Sequence, residues 1–273
     1  MSPTAPSDPV LHVDARGQGM AVVLGHGFGG SARNFRPQLR ELQADYRAVA
    51  FDARGHARSG APREPGAYSL PSFVSDLGRV LDTQGGGAGV VGGLSMGAAV
   101  ALHFALLQPE AVRGLLLASY PGSRSTGGFA SFAAPFAEAI EREGLEAAGA
   151  RFVWGEASGL GPQAAALVRQ GFLEHPPHAV AAILRELLAE LPELSALAPR
   201  LMGLDVPALI VAGGADQASL EASRRLADAL PRAQLQVVEG AGHVVNLEKP
   251  REFNAALLDF VGRCRSAGSA YSR

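Results

Sequence analysis

Short apolar runs recur along the chain, at Val10 to Val13, Met20 to Leu24, Ala48 to Phe51, Gly89 to Gly92, Leu115 to Ala118, Leu209 to Ala212 and Leu235 to Val238. Several are continuous rather than alternating, the pattern of strands buried on both faces of a parallel sheet. Between them, Phe35 to Leu42, Leu70 to Leu81, Gly97 to Leu107, Leu220 to Leu230 and Glu252 to Val261 carry apolar residues at helical spacing. Strand and helix alternate, which predicts an α/β protein with a mostly parallel, doubly wound sheet. The first two runs, joined by ARGQG, predict instead an N-terminal antiparallel hairpin.

From Pro121 to Arg200 the rhythm stops. Ala, Leu, Glu and Phe dominate, and Pro135, Pro162, Pro176, Pro177 and Pro192 break the segment into several short helices. Phe129, Phe132, Phe136, Phe152, Trp154 and Phe172 give it enough apolar surface to fold against something. The expected division is a core of residues 1–120 and 201–273 with a helical insertion at 121–200.

Composition changes this picture little. With 273 residues, 47% hydrophobic and a net charge of −2, the chain fits one large globular domain and offers no basic face for nucleic acid. One cysteine, Cys264, excludes a disulfide within the chain and a cysteine metal cluster. The start MSPTAPSDPV lacks the basic and apolar parts of a secretory signal, so cytoplasmic residence is the expectation. One stretch does demand an explanation: Thr83 to Pro109 contains no Asp, Glu, Lys or Arg and is long enough to cross a bilayer. Glycine at 85 to 87, 89, 92, 93 and 97 makes it a poor single helix, and it reads as a buried strand followed by a buried helix, with no membrane partner.

The boundary between those two elements holds the chemistry. Gly93-Leu94-Ser95-Met96-Gly97 matches GxSxG between an apolar strand and a helical pattern, the context in which a serine is lifted on a tight turn as a nucleophile. Its base is sought among His12, His26, His56, His103, His175, His178 and His243. Chain order selects His243, in EGAGHVVNLEKP after the last strand-like run. The orienting acid is then Asp216, just past ALIVA; a helix N-cap is its competing role, and Asp228 is the rival acid. Backbone amides of Met96 and of Phe28, in the loop HGFGG, are the expected oxyanion donors. His26 is read as a brace of that loop. His175 and His178, separated by two prolines with no carboxylate cluster beside them, mark a helix boundary rather than a metal pair.

Four motifs in order, HGFGG, FDARGHARSG, GLSMG and the pair GGAD with GAGH, resemble the α/β-hydrolase superfamily from about Val10 to Val261. The resemblance implies the α/β-hydrolase fold, an eight-stranded sheet with an inserted helical cap, and neither metal nor cofactor. It implies Ser95, Asp216 and His243 as catalytic residues acting on a small-molecule acyl substrate: an ester, a lactone or a related carbonyl compound. Asp52, Arg54 and His56 are structural in this pattern, and Ala57 stands where the second glycine is usual. Phe28, Met96, Phe132, Phe136, Trp154 and Phe172 are the candidate substrate contacts under the cap. A serine at the nucleophile position argues against the dehalogenase and epoxide hydrolase branches, which use aspartate there. Three other classes remain open: elimination chemistry of the menaquinone-pathway synthase type, cofactor-free perhydrolysis, and a non-enzymatic ligand-binding role. The synthase type resembles the chain in HGFGGS and EREGLEA, but Ala98 and Ala99 replace the glycine and arginine common in its GxSMGGR. The oligomeric state is open.

Overall fold

The computed structural model describes residues 8–121, 132–155 and 162–270. Seven strands form one sheet: β1 Val13–Arg16, β2 Ala21–Gly25, β3 Arg47–Phe51, β4 Gly89–Leu94, β5 Val112–Ala118, β6 Ala208–Gly213 and β7 Ala233–Val238. Their order is β1-β3-β2-β4-β5-β6-β7, with β1 antiparallel to β3 and the other pairs parallel. Strands β2, β4 and β6 are buried along their whole length, as continuous apolar runs require when helices cover both faces.

The side-chain alternation of each strand divides the interior in two. Val23, Val91, Leu115, Leu117 and Ile210 face one core, shared with α2 Leu70–Gly85 and α3 Met96–Leu107. Val22, Leu24, Val90, Leu116, Leu209 and Val211 face the other, closed by α1 Arg36–Leu42, α9 Val245–Glu248 and α10 Pro250–Ala270. Most of α3 is buried, which explains a helix apolar on every side. The charge-free run is therefore β4 plus α3, and among the described residues no helix is long and apolar enough to cross a membrane.

Two expectations are corrected. The described residues hold seven strands, not eight, and the first two runs do not form a hairpin. Both edges of β2 are occupied by its parallel partners β3 and β4, so β1 takes the free edge of β3. The residues before β1 are also diverted: the Val10 carbonyl accepts from Gly60 N–H, and His12 N–H donates to the Ser59 hydroxyl at 2.9 Å. They are spent on the loop after β3 rather than on a further strand.

Between β5 and β6 lie α4 Ala133–Phe152, bent at Gly144 (φ 82°), α5 Pro162–Phe172, α6 Pro177–Ile183 and, after a π-helical turn, α7 Leu194–Met202. Helix α8, Gln217–Ala229, connects β6 to β7. The aromatic side chains between β5 and β6 converge: Phe136 stacks on Phe152 at 4.7 Å and on Phe172 at 5.9 Å, and the Trp154 ring meets Phe172 edge-on at 5.6 Å.

The loop after β3 is anchored by one buried ion pair. Arg54, 2% exposed, donates from Nε and Nη2 to both oxygens of Asp76, at 2.7 and 2.8 Å, and from Nη1 to the Ala67 carbonyl. Removing Arg54 leaves the buried Asp76 carboxylate with only the longer contact to Arg79, at 3.4 Å. Arg54→Ala is expected to lose about 3–5 kcal/mol of unfolding free energy in urea, whereas Arg142→Ala, in an exposed pair with Glu138, should change it by no more than about 0.5 kcal/mol.

Candidate active site

Ser95 occupies the single residue between β4 and α3, with φ 52° and ψ −110°. A non-glycine residue in that region costs about 1–3 kcal/mol and survives only where its surroundings dictate it. Here they do. A Cβ built on Gly97 would fall 2.5 Å from the Gly25 carbonyl carbon, and one on Gly93 would fall 2.8 Å from the Gly97 carbonyl carbon. Strand β2 and the β4–α3 turn therefore meet backbone to backbone. The turn is then clamped: Ser95 N–H donates to the Ala118 carbonyl at 2.8 Å, and the Ser95 carbonyl accepts from Ala99 N–H.

At the first turn of α3 the Met96 amide has no intrahelical acceptor, and it points with the positive end of the helix dipole. The Met96 side chain runs the other way, buried in a small hollow beneath the turn shared with His26, Phe51, Phe73 and Leu77. The loop His26–Gly30 passes directly beside the serine, since a Cβ on Gly27 would stand 3.5 Å from Ser95 Cβ. Gly29 has φ 70° and its backbone lies against the Phe172 ring, where a Cβ would sit 2.6 Å from Cδ2. Phe28 meets Phe136 and Phe172 with centroids 6.0 and 5.9 Å away. Phe132 stacks at 6.4 Å on Phe152, one ring further out. Phe136 and Phe172 are fully buried, so in this conformation these rings face one another.

His243 and Asp216 meet. His243 Nδ1–H donates to Asp216 Oδ2 at 2.6 Å, and the imidazole is 45% exposed. The other carboxylate oxygen accepts Ser219 N–H and caps α8, so Asp216 is both N-cap and partner of His243. The two roles assigned to Asp216 as alternatives are filled by its two oxygens. Burial pushes its pKa up, but the hydrogen bonds from His243 and Ser219 outweigh that and leave it below the ordinary carboxylate value. Asp228 lies in the helical interior of α8. Among the described residues, the Ser95 hydroxyl makes no hydrogen bond, and Ser95 is partly exposed.

Two neighbours carry no signal of their own in the sequence. Ser219, buried, places its hydroxyl 3.2 Å from His243 Nδ1. Glu248 accepts Gly242 N–H at 2.8 Å and Val244 N–H at 3.0 Å, gripping the backbone on both sides of His243. Its place five residues after the histidine is visible in GAGHVVNLEKP, but which amides it binds is not.

Three further histidines form a buried column. His26 Nδ1–H donates to the Gly27 carbonyl and its Nε2 accepts Ala53 N–H at 2.9 Å. His56 Nδ1–H donates to the Arg54 carbonyl and its Nε2 accepts Gly29 N–H at 3.2 Å. His175 Nδ1, from the turn between α5 and α6, accepts Ala57 N–H at 2.9 Å. The rings pack edge-on, 4.8 Å from His26 to His56 and 5.0 Å from His56 to His175. Burial lowers all three pKa values, that of His26 to about 4. His178 sits near the Ala61 carbonyl at the start of α6. Among the described residues, no group of three or more His, Cys, Asp or Glu is arranged to hold a metal.

A model of the Alpha/beta hydrolase family matches residues 22–256. A Bacillus subtilis (strain 168) protein provisionally named 2-succinyl-6-hydroxy-2,4-cyclohexadiene-1-carboxylate synthase is 30% identical over 250 residues, 88% of this chain and 90% of its own. A Variovorax paradoxus (strain S110) protein provisionally named carbamate hydrolase RutD is 31% identical over 268 residues, 94% of this chain and 98% of its own. Among solved structures, a thermophilic esterase from Thermogutta terrifontis superposes with a TM-score of 0.81 at 28% identity, covering 93% of each chain.

The histidine column makes acid the weak side of this fold. A buried base with a lowered folded-state pKa contributes stability above its unfolded pKa of about 6.5 and loses it as pH falls toward the folded value. His26, His56 and His175 titrate this way, and so does His103, lowered by its burial in α3. Each costs about 1.4 kcal/mol per pH unit inside its window. Urea unfolding between pH 7.5 and 5 should therefore show stability falling progressively below about pH 6.5, by about 1.4 kcal/mol per unit from His26 alone and further where the other rings titrate. A flat profile would contradict neutral histidines in the column.

Proposed function

We propose that this chain, which belongs to the alpha/beta hydrolase family, is a serine hydrolase that cleaves a small carboxylic ester, lactone or carbamate through an acyl-enzyme. Ser95 is the nucleophile, His243 its general base and then acid, and Asp216 the carboxylate that fixes the imidazole and stabilises its cation. The backbone amides of Phe28 and Met96 receive the developing oxyanion. The observation that carries this reading is the backbone of Ser95: a positive φ, at a helix N-terminus, held by close glycine contacts in a residue that is partly exposed. The packing that imposes this strain also sets the serine at a helix N-terminus beside the loop after β2, the arrangement of a nucleophile. The bond from Ser95 to His243 belongs to the reacting complex, as catalytic hydrogen bonds commonly tighten only with substrate.

Attack by Ser95 on the carbonyl passes its proton to His243 Nε2, the nitrogen opposite the one bound to Asp216, and the same proton then goes to the leaving oxygen or nitrogen. Water repeats the cycle on the acyl-enzyme. The esterase and carbamate hydrolase likenesses support carbonyl hydrolysis of this kind. In this reading residues 121–200 form the cap, and Phe28, Phe132, Phe136, Trp154 and Phe172 shape an apolar acyl site beneath it, the Met96 side chain packing below the turn. Elimination on a dicarboxylate, the reading suggested by the synthase likeness, is less well served. Ala99, fully buried in α3, stands where the arginine of that motif would be.

Hydrolysis of p-nitrophenyl acetate and butyrate, with a lactone and a carbamate panel, tests the assignment. Ser95→Ala should abolish turnover and labelling by a fluorophosphonate. Asp216→Asn should lower kcat by about 10⁴-fold, the scale of the equivalent change in serine proteases. On the acid side kcat/KM should fall, since only a neutral imidazole can accept the serine proton. Turnover by Ser95→Ala equal to wild type would overturn the reading.

A further inference from the structure

We infer that His56 and His175 are positioning residues for this hydrolysis, uncharged imidazoles that set the backbone of the oxyanion loop and tie it to the helical insertion. The inference rests on the reading of Phe28 as an oxyanion donor.

The hydrogen bonds of the column determine its protonation. Gly29 N–H can donate to His56 Nε2 only if that nitrogen carries no proton, so His56 is neutral with its proton on Nδ1, facing the Arg54 carbonyl. The same logic makes His175 neutral with its Nδ1 bare, because Ala57 N–H points at it. Purely apolar replacements of both rings would fill the same space but leave two part-buried loop amides without acceptors.

The location of those amides gives the column its role. The bond to His56 fixes the peptide between Phe28 and Gly29, immediately after the proposed donor, where glycine at φ 70° has no side chain to limit rotation. The Phe28 ring also meets His56 edge-on at 6.2 Å. His175, in the turn between α5 and α6, holds Ala57, which like Ser95 and Ser119 is a non-glycine residue at positive φ, here 43°. His175 also packs at 6.2 Å on Phe172, the ring seated against Gly29. Its Nε2 has no hydrogen-bond partner of good geometry, and the Gly29 carbonyl is close enough to favour its protonated form. The chain of contacts therefore runs from the insertion through two imidazoles to the amide plane of the loop. Around the column stand Asp52, which favours protonation of His26 and His175, Glu174, which favours it at His175, and Arg33, which opposes it. Asp52 is itself engaged by Arg58, and Glu174 by Arg33.

The test uses the intact protein and two readouts. In wild type, ¹⁵N-histidine NMR near neutral pH should show His56 as the Nδ1–H tautomer with an unprotonated Nε2; an Nε2–H tautomer or an imidazolium would overturn the inference without any variant. His56→Leu keeps bulk and removes the acceptor, while His56→Gln offers a side-chain carbonyl to Gly29 N–H. With p-nitrophenyl butyrate, His56→Leu should lower kcat by up to about 10²-fold, the scale of a misplaced catalytic group, with KM within about twofold, and His56→Gln should recover most of that loss. Equal kcat for the two variants, or a loss confined to KM, would overturn it. Should His56→Leu not fold, the same comparison between His175→Leu and His175→Gln decides, with Ala57 N–H as the donor. Failure of the underlying reading looks different: wild type itself would neither turn over the ester nor be labelled at Ser95, whatever the histidine tautomers.

Discussion

The structure depends on one close approach, where the end of β2 meets the turn between β4 and α3. Gly25, Gly93 and Gly97 touch there through backbone atoms, and no side chain fits between them. Because the strand and helix come together at this distance, the intervening residue cannot follow either conformation, and Ser95 is forced to positive φ. The same approach brings the loop after β2 alongside the serine and starts α3 beneath it, so its first amide is left without a helical partner. The position of Ser95, the neighbouring loop and the exposed amide all follow from a contact that only glycine permits.

The loops at this end of the sheet then face a common difficulty: their backbone amides lie in or near the interior and have no strand to pair with. The chain resolves it with side-chain acceptors drawn from distant elements. Asp52, fully buried after β3, accepts Ala32 N–H at 2.7 Å and Arg58 N–H at 3.2 Å, and the same carboxylate takes the Arg58 guanidinium. Glu248 serves the amides around His243, and His26, His56 and His175 serve those of residues 53, 29 and 57. An amide network of Gln38 and Asn246 ties α9 to α1: Gln38 Nε2 donates to the Asn246 carbonyl at 3.1 Å, and Asn246 Nδ2 donates to the Asn34 carbonyl at 2.9 Å. The loop bearing His243 and the segment following the HGFGG loop are thus one hydrogen-bonded body.

This explains which features were legible in the sequence. Runs of buried apolar residues gave strand positions well, because parallel strands advertise themselves without any partner being known. GLSMG was legible because both the tight approach and the turn are local. The pairing of β1 was not, since the free edge of β3 exists only once β2 has been placed between β3 and β4. Asp216 was ambiguous for a sound reason: a carboxylate has two oxygens, and here one caps α8 while the other holds His243. Ser219, Glu248 and His175 escaped because their roles lie in individual contacts that composition and spacing do not encode: the His243 ring for Ser219, and backbone amides for Glu248 and, 118 residues away, for His175. Ala57 is the opposite case, a departure from the usual glycine whose φ of 43° shows why glycine is usual there.

The histidines separate into two kinds by environment alone. His243 stands half in solvent with the Asp216 carboxylate on Nδ1, an ionised partner on one side and water on the other. His26, His56 and His175 are buried, and their ring nitrogens meet backbone groups rather than an ionised side chain. Protonation there would bring a charge into the interior and also turn an acceptor into a second donor facing an amide N–H, losing the bond that made the residue useful. The same side-chain type is thus used in two ways, as a half-exposed ring paired with a carboxylate and as buried neutral acceptors of loop amides. What distinguishes the two is the carboxylate of Asp216 and the solvent around His243, both consequences of where the loops after β6 and β7 emerge from the sheet.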